Sequence, residues 1–293
     1  MNKSVMFKTA GLIYLIIVLA SLSVAVTIHR FFQFNLLITL GIILVLAVPA
    51  AFIFLKVLLS REKNKPFGRL YTEFREELFK NGYTEKFFEL SDKAINAYRN
   101  GEKIDIVYLK DFVLYTVDYY NSTEQYEKAL SLIMLLNENE LTKKSMVFID
   151  YGISAVTYYG CLMEIYRGLN DKENAIKMIE RARPVLEMNF KHDVLKMTAD
   201  VVYYNYYMLL GNYDRAREFA GRLLSYDSPG TEKFFSKYYI EAEFDMHLGL
   251  KQDAVNALKK MEPLIEGEMK VLMSFYYSRF QERLGLKEEM SQN

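Results

Sequence analysis

Tryptophan is absent from this 293-residue chain, cysteine occurs once, histidine three times and proline five times. The lone cysteine, Cys161, excludes a disulfide framework and any cysteine-based metal site within one chain. His29, His192 and His247 stand far apart, so no set of ligands falls at metal-binding spacing. There is no Gly-rich phosphate loop, HExxH, CxxC or GxSxG. Ser60 and Lys63 match a serine–lysine spacing, but they sit in a linker beside a hydrophobic run and are read as coincidence. No catalysis, cofactor or metal is therefore expected.

Net charge is missing as well, with 37 basic and 37 acidic residues. The balance hides a split. Residues 1–65 hold seven Lys/Arg and one acid, which leaves 30 basic and 36 acidic residues behind them. A mildly acidic remainder lacks the basic stripe of a nucleic-acid binder.

What the chain does have lies first at its front. Thr9 to Ile28 and Phe31 to Leu55 are runs of 20 and 25 residues without a charge. A helix needs about 20 apolar residues to cross a bilayer. A transmembrane hairpin over 1–59 is expected, with spans at about 9–28 and 33–55, and Pro49 kinking the second. Small residues pair at helical spacing, Ser21 with Ala25 and Ala47 with Ala51, which fits close helix packing or simply the usual composition of membrane helices. Neither run holds an Asp, Glu, Lys or Arg, so the hairpin reads as an anchor and not an ion path. Lys3 and Lys8 precede the first span, and Lys56, Arg61, Lys63, Lys65 and Arg69 follow the second. Basic residues stay on the cytoplasmic side, which puts both termini in the cytoplasm of a cell-membrane protein. A cleaved signal peptide ending at Ser23-Val24-Ala25 is the alternative, set against by an apolar run longer than the usual signal core.

A basic linker, 60–69, leads to a region that alternates long helical patterns with short breakers such as Asn81-Gly82, Leu169-Asn170-Asp171, Gly211-Asn212 and Gly249. No sustained period-two alternation is present, so no strands are expected. The breakers recur. Phe87, Ala129, Ala175, Ala216 and Ala254 each open the second helix of a pair, 42, 46, 41 and 38 residues apart. Such periods imply stacked helix pairs.

These residues resemble the tetratricopeptide repeat. Tyr159, Leu162 and Tyr166 before the turn, with Ala175 and Ala182 after it, give the best fit; Tyr207, Gly211 and Tyr213 surround the turn before Ala216. The resemblance covers 66–285, leaves 286–293 as a tail, and implies an all-α, TPR-like α-solenoid of about five helix pairs. The repeats are longer than the family's and lack a proline at their ends, so a HEAT-like or irregular α-solenoid stays open. Taken with the hairpin, the expected function is a membrane-anchored cytoplasmic scaffold or adaptor that binds a partner protein through a groove. The alternative is a tethered regulator that senses a peptide.

In that register Asp118, Glu164, Asn205 and Glu243 occupy one equivalent place per repeat on the inner face, with Arg167 and Tyr239 beside them. They are expected to form a solvent-exposed, acid-leaning strip suited to a basic or neutral peptide. If the strip binds nothing, the last helix around Tyr276 and Tyr277 is the next candidate. Cys161, among Tyr158, Leu162 and Ile165, is expected to be a small core residue.

Overall fold

The structure is a computed structural model that describes residues 67–141, 151–188, 193–225 and 231–286. The expected spans at 9–28 and 33–55, most of the linker and residues 287–293 lie outside the described residues. Among those described, no helix is long and apolar enough to cross a membrane. The chain divides into two compact units between Arg69 and Leu70, and nearly all the described residues belong to the second.

Among the described residues the fold is all-α, with no strand. In chain order the helices are α1 (Gly68–Asn81), α2 (Glu85–Arg99), α3 (Ile106–Ser122), α4 (Tyr126–Ile133), a single turn α5 (Glu138–Leu141), α6 (Tyr151–Gly168), α7 (Lys172–Leu186), α8 (Asp193–Leu210), α9 (Tyr213–Ser225), α10 (Thr231–His247), α11 (Lys251–Met261) and α12 (Lys270–Arg283). A 3-10 turn, Glu262–Leu264, follows α11.

The turns explain why the chain folds into pairs. Gly82, Glu124, Asn170, Gly211 and Gly249 all have positive φ, between 53° and 80°. Each lies five positions before Phe87, Ala129, Ala175, Ala216 or Ala254. At the last four turns the N–H one residue later donates back across the turn: Gln125 to Tyr120, Asp171 to Tyr166, Asn212 to Tyr207 and Leu250 to Asp245, at 2.8–2.9 Å. This left-handed closure satisfies carbonyls that the ending helix would otherwise leave bare. The next helix is then capped by a side chain in two of these turns: Asp171 accepts from Asn174 N–H at 3.1 Å and Asn212 from Arg215 N–H at 3.2 Å.

The five residues that open the second helices are each 0% exposed. Four of them are alanines, small enough to let paired helices approach closely, α3 with α4, α6 with α7, α8 with α9 and α10 with α11. First helices also pack on one another, α3 on α6 and α6 on α8. Replacing Ala175 or Ala216 with leucine is expected to cost about 1–3 kcal/mol through overpacking, read from urea midpoints of the purified chain. A neutral result at both positions would break the assigned register.

One helix does not follow the pairing. Leu272 of α12 lies in a cluster with Phe74, Phe87 and Phe112 near the start of this unit. Met273 and Phe280 of the same helix lie with Ala254, Leu258 and Met261 near its end. The last helix thus belongs to two cores at once.

Candidate functional site

The four strip residues stand on α3, α6, α8 and α10, each eleven positions before its buried alanine. Their spacing is regular, but the expected exposure is overturned. Asn205 and Glu243 are only 6% and 8% exposed, and Asp118 and Glu164 are partly buried. Carboxylates removed from water need partners, and here the partners come from the chain itself.

Asp118 is answered by tyrosines. Tyr83, in the turn before α2, donates to Asp118 Oδ2 at 2.8 Å, and Tyr276 of α12 donates to the same oxygen in a short contact. The two phenol oxygens are 3.1 Å apart. Burial pushes the Asp118 carboxyl above its usual range, while the bonds from Tyr276 and Tyr83 pull it back. Phe275 fills the adjoining space, its ring centroid 4.9 Å from Tyr83 and 5.9 Å from Tyr119. Asp111, one step along the face, accepts from Tyr71 at 2.5 Å. Tyr71, Tyr83 and Tyr276 are thus the hydrogen-bond donors to these part-buried acids.

Glu164 accepts from Asn121 Nδ2 at 3.2 Å. Its carboxyl is pushed up to about 7, first by burial and then by Asp118, with Arg167 opposing. Above that pH the folded chain carries a poorly solvated charge. As pH falls through about 7 toward the unfolded value, the folded state takes up the proton first and gains stability. Glu164→Gln keeps an acceptor for Asn121 and removes the charge. This variant is expected to be more stable than the parent by about 2–3 kcal/mol at pH ~8, by about 1 kcal/mol at pH ~5, and equal to it only below pH ~4. A gap that does not close on acidification would mean Glu164 is not the titrating group.

Glu243 lies between two arginines. Arg167 Nη2 donates to Glu243 Oε1 at 2.6 Å, and Arg283 Nη1 of α12 lies 3.6 Å from the same oxygen. Burial opposes ionisation, yet Arg167 and Arg283 hold the Glu243 carboxyl below its usual range. Arg167 occupies the place that Met208 holds one repeat later. A thioether cannot donate, so Glu243 draws its donor from α6, past Asn205. Asn205 Oδ1 and Tyr204 Oη are left buried without a partner, as is Asn121 Oδ1. Tyr239 packs edge-on against Phe280 of α12, centroids 5.3 Å apart at 70°.

Beside this triad opens a cleft of about 430 Å³, lined by Arg167, Glu243, Arg283, Lys172, Met208 and Tyr126 among others. The Tyr126 ring lies over Gly168 so closely that a Cβ there would run into it. Tyr126 stands at the repeat place that Tyr213 holds before Ala216, whereas Arg283 and Tyr83 have no signal in the repeat pattern. Aromatic, basic composition is what sets α12 apart within the stretch 66–285.

Cys161 is partly buried, and burial, Asp118 and Glu164 push its thiol well up, which keeps it protonated and unreactive. His247 is exposed, with Nε2 3.2 Å from Tyr213 Oη. No group of three or more His, Cys, Asp or Glu among the described residues is placed to hold a metal ion. His192 lies outside the described residues.

No protein-family model matches the chain, and neither a curated protein nor a solved structure is similar to it.

Proposed function

We propose that this chain is a membrane-anchored scaffold: two N-terminal spans tether a cytoplasmic, TPR-like stack of helix pairs that docks a partner protein. The observation that carries the reading is the recurrent turn. One left-handed residue five positions before one fully buried seam residue, five times over, is how stacked pairs are built from dissimilar sequence. The uncharged runs and the basic residues behind them support the anchor and its orientation.

Docking does not run along the whole inner strip. Asp118, Glu164 and Asn205 serve the fold, and α12 fills the inner face beside Asp118. Arg167 and Glu243 remain at an opening, so the partner is taken at the cleft. The cations there favour an acidic feature on that partner over the basic segment that an exposed acidic strip would select.

The test is crosslinking in native membranes followed by mass spectrometry, with a reporter fused after Asn293. The scaffold reading expects one recurrent crosslinked protein and a reporter active only inside the cell. A reporter active outside would reverse the orientation and remove the cytoplasmic partner class. The cleft also favours a second reading, a tethered regulator that senses a ligand. It expects no recurrent crosslink and a stability that responds to a small molecule.

A further inference from the structure

The cleft carries charge that its surroundings do not. The chain behind residue 65 has 36 acids against 30 bases. Yet the walls of this one opening bring together Arg167 of α6, Lys172 at the start of α7 and Arg283 of α12, with Glu243 as the one carboxylate among the lining residues. Glu243 meets Arg167 and Arg283 through a single oxygen, Oε1. A guanidinium has five N–H donors in a planar fork. One carboxylate oxygen leaves most of the donors on both arginines without an anionic acceptor; Arg283 has a further, looser approach of 3.9 Å to Glu124. Lys172 is exposed at the cleft's edge.

Beside the cleft wall, on α8, two buried groups lack a partner. Tyr204 is 0% exposed and its hydroxyl has no partner, nor has Asn205 Oδ1. The Tyr204 hydroxyl lies within electrostatic reach of Glu243, Arg167 and Arg283, and burial raises it well above the usual phenol range. On α8, Tyr204 and Asn205 stand one turn before Met208 and Leu209, which line the cleft. A neutral phenol can donate a hydrogen bond to an anion. Met208, Leu209 and Met246 give the same opening an apolar wall. Its volume falls in the range of small-molecule sites.

From this geometry we infer that the cleft between Arg167, Lys172 and Arg283 is a binding site for a phosphate-bearing small molecule. The lining sets three cations against one carboxylate, and with Glu124 3.9 Å from Arg283 the excess is at least one positive charge, which favours a phosphate monoester of about −1.5 to −2 at neutral pH. Two forks and an ammonium suit three phosphate oxygens. The ester's organic part would lie against Met208, Leu209 and Met246. The inference needs only the cleft; a protein partner taken at the same place would compete with the small molecule.

The experiment uses the full chain in a neutral detergent and inorganic phosphate as the probe. Thermal unfolding is followed by circular dichroism as phosphate replaces chloride at constant ionic strength. Phosphate also stabilises proteins generally by exclusion from their surface, so the result is read as the difference between variants. Lys172→Glu changes an exposed first-turn residue and leaves the arginine–glutamate triad intact. Lys259→Glu, on the exposed side of α11, is the control. The inference expects a saturable rise in melting temperature for the parent and for Lys259→Glu. In Lys172→Glu, phosphate should bind at least about tenfold more weakly, the equivalent of losing one charge-assisted contact. Equal shifts in all three proteins would overturn the site. Acetate producing the same Lys172-dependent shift would overturn the assignment to phosphate in favour of a carboxylate.

Discussion

Replacing Glu243 with alanine is expected to destabilise the folded chain by about 3–5 kcal/mol, the cost of leaving a buried charge unpaired. Arg167 is the group left behind. Its side chain is 21% exposed, and Glu243 is its 2.6 Å partner. On a solvated strip the same truncation would stay within about 0.5 kcal/mol, so urea unfolding separates the two descriptions without ambiguity. Replacing Arg167 and Glu243 together with methionine is expected to recover most of the loss, because a packed apolar pair avoids the desolvation cost altogether. A cost below about 1 kcal/mol for Glu243→Ala would mean that water entering by the cleft replaces the lost carboxylate and that the pair does not hold the fold.

The second large effect is expected in α12. Phe280 is 0% exposed, packed on Tyr239 and clustered with Ala254, Leu258 and Met261. Phe280→Ala should cost about 3–5 kcal/mol. The residues just before Phe280 also hold the opposite end of this unit, through Leu272 in its first cluster and Tyr276 on Asp118. The loss should therefore appear as a shift of one cooperative transition, seen equally by far-ultraviolet and tyrosine signals. Two separate transitions would show that α12 can leave one core while keeping the other.

The helices and the seams between them were legible because each depends on near neighbours in sequence. A small residue at the start of the second helix, five positions after a glycine or asparagine, is a local pattern, and Ala175, Ala216 and Ala254 obey it. Glu124 shows its edge: a glutamate at φ 59° stands where three of the other turns have glycine, and no propensity marks it. The strip was legible as a set of positions. Its exposure was not, because Asp118 takes its donors from Tyr83 and Tyr276, and Glu243 from Arg167 and Arg283. Those pairings span most of the unit, whereas periodicity reports only which way a side chain points on its own helix. The cleft was illegible for the same reason, since Lys172, Arg283 and Tyr204 share no repeat position.

The placement of α12 has a consequence for how the protein is made. Asp118 and Tyr276 are separated by 158 positions, and Tyr83 and Tyr276 by 193. Domains emerge from the ribosome N-terminus first, at about 5–20 residues per second. The early helix pairs are thus complete while the helix that covers Phe74, Phe87 and Asp118 has yet to be translated. For those seconds the nascent chain presents an open aromatic surface and a carboxylate with one of its two tyrosines. A message truncated before codon 270 should give a product that chaperones hold and proteases clear, although every earlier helix is encoded in it. Quality control can then read closure of this core from a single event, the arrival of Leu272 and Tyr276 of α12 on Phe74, Phe87 and Asp118.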